Sequence, residues 1–255
     1  MRIAYTRAVS PALANCELTH LARTPIDVAR AAAEHAAYED ALRRLGVEVR
    51  PIAAAPEFPD GVFVEDAALV LPELAIITRP GAASRRGETT SVAAALAAHR
   101  PLRTIEAPAT LDGGDVLVTS RRKVYVGQST RTTATAMEQL AAVLAPFGYD
   151  VVPVALHGCL HLKSAVTQVA DGLLLLNPAW VDPAAFRPFE WIAVDPGEPH
   201  AANALALGSD VIHPDVHERT RARLETEGLH VHPVDVRELA RAEAGVTCCS
   251  LIVED

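Results

Sequence analysis

Two adjacent cysteines, Cys248 and Cys249, stand near the end of the chain in GVTCCSLIVED, and His161 precedes a short apolar run in HLKSAVT. Acidic residues interrupt two other apolar stretches: Glu65 and Asp66 in VFVEDAALVL, and Asp112 and Asp115 in LDGGDVLVT. A thiol beside an imidazole can exist as thiolate and imidazolium, the activated form of a sulfur nucleophile. Carboxylates around such a thiol would raise its pKa unless a cation were bound among them. A guanidinium is a planar cation whose forked donors match carboxylates. Taken together, the residues point to attack by sulfur on the central carbon of a guanidinium group, with substrate charge helping to form the thiolate.

Each piece has a plainer reading on its own. Glu65-Asp66 reads as a solvated strand end, LDGGDV as a capped turn, His161 as a satisfied core histidine, and the cysteine pair as buried packing. The joint pattern favours chemistry. His157 and His161 stand four apart, a zinc-like spacing on a helix, but Gly158 lies between them and no Glu follows His157, so no metal is expected. Neither GxxxxGK[ST] nor GxGxxG occurs, so no nucleotide or other cofactor is expected.

The elements that must position these residues repeat along the chain. GVEVRPI (46–52), GYDVVPV (148–154) and GLHVHPV (228–234) share a glycine five residues before a proline, with β-formers between. Each follows a stretch with helical spacing: Ala31–Leu45, Thr132–Phe147 and Arg221–Glu227. Glycine past a helix end is the common left-handed cap, and a strand then begins. Weaker versions run from Ser91–His99 into 102–106 and from Pro183–Phe189 into 191–194. Between these passages lie pairs of short strands: 62–71 with 74–78, 115–119 with 123–127, 165–169 with 173–176, and 202–207 with 210–212; residues 248–253 close the chain. The implied unit is strand-strand-helix-strand, repeated about five times. An α/β ring of such units, a five-fold pseudo-symmetric propeller, is favoured over an open doubly wound sheet, because paired strands sit where a simple βαβ unit has one. A ring brings the equivalent strand starts to its centre, and with them Glu65-Asp66, Asp112, His161, Asn203 and Cys248-Cys249. Residues 1–255 read as one catalytic domain.

Composition narrows the partners. Half of the 255 residues are apolar and the formal net charge is −9. That balance argues against nucleic acid and against an anionic membrane surface. No apolar run approaches a membrane span or a signal-peptide core. Four cysteines are too few for a disulfide framework at this length, so a cytoplasmic protein with reduced thiols is expected. The partner is a small molecule, and a homodimer is compatible with the sequence.

FPDGVFVEDAALVL, ITRPGAASRRGE, LDGGDVLVT, HLKSAVT and GVTCCSLIVED, in this order and spacing, resemble the dimethylarginine dimethylaminohydrolases of the guanidino-group-modifying (pentein) superfamily. The resemblance spans residues ~58–253 and is loose over residues 8–30. It implies a five-bladed α/β propeller and hydrolysis of Nω-methylated L-arginine to L-citrulline and a methylamine. It also implies that Cys248 is the nucleophile, His161 the general acid and base, and Asp112 the acid that orients His161. On the same basis Glu65 and Asp66 become guanidinium ligands, Asp60 the ligand of the substrate α-ammonium, and Arg85 and Arg131 clamps on its α-carboxylate. Leu18 falls on a lid over the site. The rivals are a related deiminase acting on arginine or another small guanidino compound, a non-catalytic binding protein for a cationic amino acid, and a zinc hydrolase. The chain is short for the helical insertion usual in arginine deiminases.

Overall fold

A computed structural model describes residues 1–254. Its elements, in chain order, are β1 (Arg2–Thr6), α1 (Val28–Arg44), β2 (Glu48–Pro51), β3 (Ala68–Val70), β4 (Ala75–Ile77), α2 (Thr89–Leu96), β5 (Leu102–Thr104), β6 (Val116–Val118), β7 (Lys123–Gln128), α3 (Ala134–Leu144), β8 (Asp150–Ala155), α4 (Leu162–Ala165), β9 (Val166–Ala170), β10 (Leu173–Leu176), β11 (Glu190–Ala193), β12 (Leu205–Leu207), β13 (Asp210–Pro214), α5 (Glu218–Thr226), β14 (His230–Val234), α6 (Arg237–Ala240) and β15 (Leu251–Glu254).

The strands form five three-stranded sheets, ordered β15-β1-β2, β3-β4-β5, β6-β7-β8, β9-β10-β11 and β12-β13-β14. In each, the middle strand runs antiparallel to one neighbour and parallel to the other. Parallel neighbours need a crossover, and α1, α2, α3 and α5 supply it in four blades. In the β10–β11 blade the crossover contains only a single 3₁₀ turn, Pro183–Phe186. The fold is the expected five-fold pseudo-symmetric α/β propeller. The C-terminal β15 completes the blade that β1 begins, with Arg2 opposite Glu254, so the two ends of the chain close the ring.

The helices end where the glycines predict. Gly46, Gly148 and Gly228 have φ of +76°, +74° and +83°, a conformation costly for any residue with a Cβ. α1 begins at Asp27, whose side chain accepts the Arg30 N–H at 3.0 Å. Its buried face, Ala31, His35, Tyr38, Ala41 and Leu42, packs with Leu13, Val234, Leu239 and Val246.

One local expectation fails. Glu65-Asp66 and Cys248 are not on strands. They lie in single 3₁₀ turns, Val64–Ala67 before β3 and Thr247–Cys249 before β15. Asp112 and His161 likewise precede one-turn helices, Gly113–Asp115 and α4, that lead into β6 and β9. The physical reason is supply of donors. The first N–H groups of a short helix have no partner inside it, and here neighbouring blades use them.

Candidate active site

The turns are joined by side chains from adjacent blades. Gly114 N–H donates to Asp66 Oδ1 at 2.9 Å, and Leu162 N–H donates to Asp115 Oδ1 at 3.2 Å. Asn203 Nδ2 donates to the Lys163 carbonyl at 3.0 Å, and its Oδ1 accepts the Thr247 N–H at 3.0 Å. Thr247 Oγ1 then donates to Glu65 Oε2 at 2.7 Å. This closed circuit of hydrogen bonds visits every blade around the pseudo-axis.

A narrow pocket opens beside the circuit, lined by Glu17, Asp60, Phe63, Asp66, Arg85, Asp112, Arg131, Leu160, His161, Ala242, Glu243, Ala244 and Cys248. The sequence-derived Asp60, Asp66, Asp112, Arg85, Arg131, His161 and Cys248 are therefore brought together, although they lie up to 188 residues apart (248 − 60).

The electrostatics are organised around His161. Its Nε2 lies 3.1 Å from Asp112 Oδ2, and Gly81 N–H donates to the other oxygen of Asp112 at 2.8 Å. Its Nδ1 is 3.8 Å from Asp66 Oδ1, outside hydrogen-bonding range. Burial opposes the imidazolium, but Asp66 and the Asp112 hydrogen bond outweigh it and lift His161 to about 9. Burial also opposes the Asp66 carboxylate; His161 and Arg85 overcome this and hold it at about 2. The Cys248 thiol is pushed well above its ordinary value by burial, then by Glu65 and Asp66. Gly245 N–H points at its sulfur at 3.3 Å. At neutral pH the site thus holds a protonated imidazole, an ionised Asp66 and an uncharged thiol. Asp66, Asp112 and His161 present ligand atoms within 4.8 Å of one another. A protonated imidazole and a carboxylate paired to arginine suit an organic cation better than a metal ion.

Three of the expected site residues are engaged by the protein itself in this structure. Glu65 does not line this cavity. Its carboxylate is held by Lys163 Nζ at 2.6 Å and Thr247 Oγ1, and it borders a separate pocket on the far side with Ser250 and Leu251. Arg85 is not a free clamp. Nη1 pairs with Asp66 at 2.6 Å, Nε and Nη2 with Glu88, and Nη2 also donates to the Asp60 and Phe63 carbonyls. A buried guanidinium needs this many acceptors; here it lines the cavity and fixes Asp66. Leu18 packs against the core around Leu13 and Tyr38, and its neighbour Glu17 lines the cavity.

Asp60 and Arg131 line the same cavity and are tied to the segment that carries Glu17 and Thr19. The Asp60 carboxylate accepts Glu17 N–H at 3.1 Å, and burial raises its pKa. Arg131 Nη2 donates to Thr19 Oγ1 at 3.0 Å. Two residues given no role from sequence complete the site. Asp115, raised by burial to about 6, takes hydrogen bonds from Ser129 and Thr132 and holds α4, the helix that His161 precedes. Glu88 neutralises Arg85. The acid in an apolar context at LDGGDV was a usable signal for Asp115; Glu88, in the polar run SRRGETT, carried none.

This ring of blades, with a thiol, a protonated imidazole and acids at its centre, is the pentein architecture of guanidino-group-modifying proteins. The family model described as "N,N dimethylarginine dimethylhydrolase, eukaryotic" matches residues 20–178. Over 227 residues the chain is 36% identical to the N(G),N(G)-dimethylarginine dimethylaminohydrolase of Pseudomonas aeruginosa, covering 88% of this chain and 89% of that one. The Streptomyces coelicolor protein of the same name is 38% identical over 250 residues, covering 97% and 95%. A Pseudomonas aeruginosa structure in complex with citrulline superimposes with a TM-score of 0.91 at 33% identity, covering 98% of each chain. The N-terminal domain of a cyanobacterial arginine dihydrolase shares the fold, with a TM-score of 0.86 at 19% identity over 100% of this chain and 99% of that one. The chain belongs to the dimethylarginine dimethylaminohydrolase family.

Proposed function

We propose that the protein hydrolyses Nω-methylated L-arginine to L-citrulline and dimethylamine or methylamine, through a covalent intermediate on Cys248. The observation that carries this reading is one cavity holding an uncharged thiol, a protonated His161 and the ionised Asp66. A thiol disfavoured as thiolate by neighbouring carboxylates is freed to ionise when a cation lies beside it. In the family the named relatives act on dimethylarginine, whose headgroup is such a cation.

The guanidinium lies against Asp66, and Cys248 loses its proton to solvent as the cation offsets the acids. The thiolate adds to the central carbon. His161, anchored through Nε2 by Asp112, gives the Nδ1 proton to the substituted nitrogen, and the carbon–nitrogen bond breaks to release the amine. The remaining thiouronium cation is stabilised by Asp66. His161, now neutral, takes a proton from water as hydroxide adds to the carbon. The carbon–sulfur bond then breaks, returning the thiolate, and the ureido product sheds its extra proton. Asp60 and Arg131 take the α-ammonium and α-carboxylate at the other end of the cavity. Glu65 acts through the turn carrying Cys248 and not on the substrate.

All four cysteines are free, which supports a reducing, cytoplasmic setting. No helix among the described residues is long and apolar enough to cross a membrane. Incubation with asymmetric dimethylarginine should give citrulline and dimethylamine in equal amounts. Cys248→Ser should abolish turnover and Cys249→Ser should retain most of it. Ammonia from arginine, with dimethylarginine untouched, would replace this reading by arginine deimination.

A further inference from the structure

The segment from Glu17 to Asp27 has no regular structure and is largely exposed, yet it borders the active site. Glu17 lines the catalytic cavity, and His20 and Leu21 line the larger cavity beside it. Glu243 lines both. Its carboxylate accepts three successive backbone amides of the segment, Thr19 at 3.0 Å, His20 at 2.5 Å and also Leu21. Three consecutive N–H groups converging on one carboxylate fix the path of an otherwise unstructured strap.

The backbone of Glu243 supplies a second, independent sign. Its φ is +59°, in the left-handed region that side chains other than Asn, Asp and Gly adopt at a cost. Such strain persists where the surroundings over-determine it, and it gathers at ligand clamps. The strap in turn touches both groups assigned above to the α-amino-acid end of the substrate. Glu17 N–H donates to Asp60, and Arg131 donates to Thr19.

We propose that Glu243 is a positioning residue that pre-orders residues 17–21 as a lid over the catalytic cavity, so that substrate binding does not have to order the strap itself. The substrate named rests on the function proposed above; the placement of the lid does not. Without the latch, the strap would sample open conformations, and the apparent affinity would fall by the fraction of time it is closed. The effect belongs in KM, because the lid is ordered again once substrate is bound.

Glu243→Gly removes the carboxylate and also relieves the left-handed backbone, so the variant keeps its fold. It should raise KM for dimethylarginine about tenfold with kcat within about twofold, equivalent to ~1.4 kcal/mol of binding. Trypsin should cut after Arg23 several-fold faster than in the wild-type protein, and bound citrulline should restore protection. Glu243→Asp, which keeps the charge, should fall between the two. Unchanged cleavage at Arg23 in Glu243→Gly would overturn the proposal. So would fast cleavage with an unchanged KM, or a parallel loss of kcat and melting temperature, which marks a merely structural role. If the wild-type protein formed no citrulline, the functional reading would fail while the cleavage comparison still tested the latch.

Discussion

Gly114 is the most sensitive position near the chemistry, and the reason is visible as a distance. A Cβ built there would stand 2.6 Å from His161 Nδ1, 2.9 Å from His161 Cγ and 2.8 Å from Asp66 Oδ1. Comfortable carbon contacts begin near ~3.5 Å, so in Gly114→Ala the ring must retreat by roughly 0.9 Å. The obstacles are side chains, so the chain can still fold by letting them move. The expected destabilisation is that of modest overpacking, about 1–3 kcal/mol. Catalysis is less forgiving, since a ~1 Å misplacement of a proton donor lowers turnover by about a hundredfold. Gly113→Ala is the control. Its Cβ would stand 2.0 Å from the Glu65 carbonyl oxygen, a backbone atom that cannot step aside, and this variant should fail to accumulate as folded protein. Steady-state citrulline formation and thermal unfolding of the two variants separate the outcomes. Full activity in Gly114→Ala, with its melting temperature unchanged, would refute the argument that the glycine exists to let His161 and Asp66 approach.

Other outcomes follow from the charges. His161 is lifted from 6.5 to about 9, so its protonation stabilises the fold fully below about pH 6.5, and that contribution is lost as pH rises through 9. Denaturant unfolding should therefore show a larger fall between pH 6.5 and 9.5 for the wild-type protein than for His161→Gln. Asp66→Asn removes the largest influence holding His161 protonated; the alkaline limb of kcat/KM should move down by about 1–2 pH units. The same variant should speed iodoacetamide labelling of Cys248, followed by peptide mass mapping, because a carboxylate that opposes the thiolate is gone. Lys163→Met strands the buried Glu65 carboxylate and should cost about 3–5 kcal/mol in chemical denaturation, with most of it restored in the Lys163→Met, Glu65→Gln double variant.

The repeat was legible because it rests on local chemistry. Glycines 46, 148 and 228 announce helix ends through the conformation they alone adopt cheaply, and the β-formers after them become β2, β8 and β14. The expected Pro183–Phe189 helix is only a single 3₁₀ turn, Pro183–Phe186, because periodicity cannot resolve so short a crossover. Asp112, His161, Asp66 and the Cys248-Cys249 pair stood out because a polar residue before an apolar strand demands a partner or a purpose; the choice of Cys248 came from the family resemblance. Their partners did not stand out. Arg85 sits in the exposed-looking run ASRRGE, and its burial against Asp66 and Glu88 arises only when the loop folds over the ring. Apolar alternation also misread VFVEDAALVL as one strand, since nothing in that pattern registers donors offered by another blade.

Those donors explain why two neighbouring acids take different parts. Asp66 and Glu65 share one turn, and each reaches a different junction of the ring. Asp66 accepts from the Gly114 turn and faces the cavity; Glu65 accepts from Thr247 and Lys163 and closes the circuit from the opposite side. Were Glu65 also a substrate ligand, the junction between the first and last blades would lose its acceptor whenever substrate arrived, and the turn carrying Cys248 would loosen during the step that needs it fixed. A carboxylate committed to the scaffold still acts on the chemistry at a distance, since its charge helps hold the thiol protonated. On the function proposed above, the ring separates two tasks that the sequence places side by side: one acid would meet the cation, and the other would keep the nucleophile in place and uncharged until the cation comes.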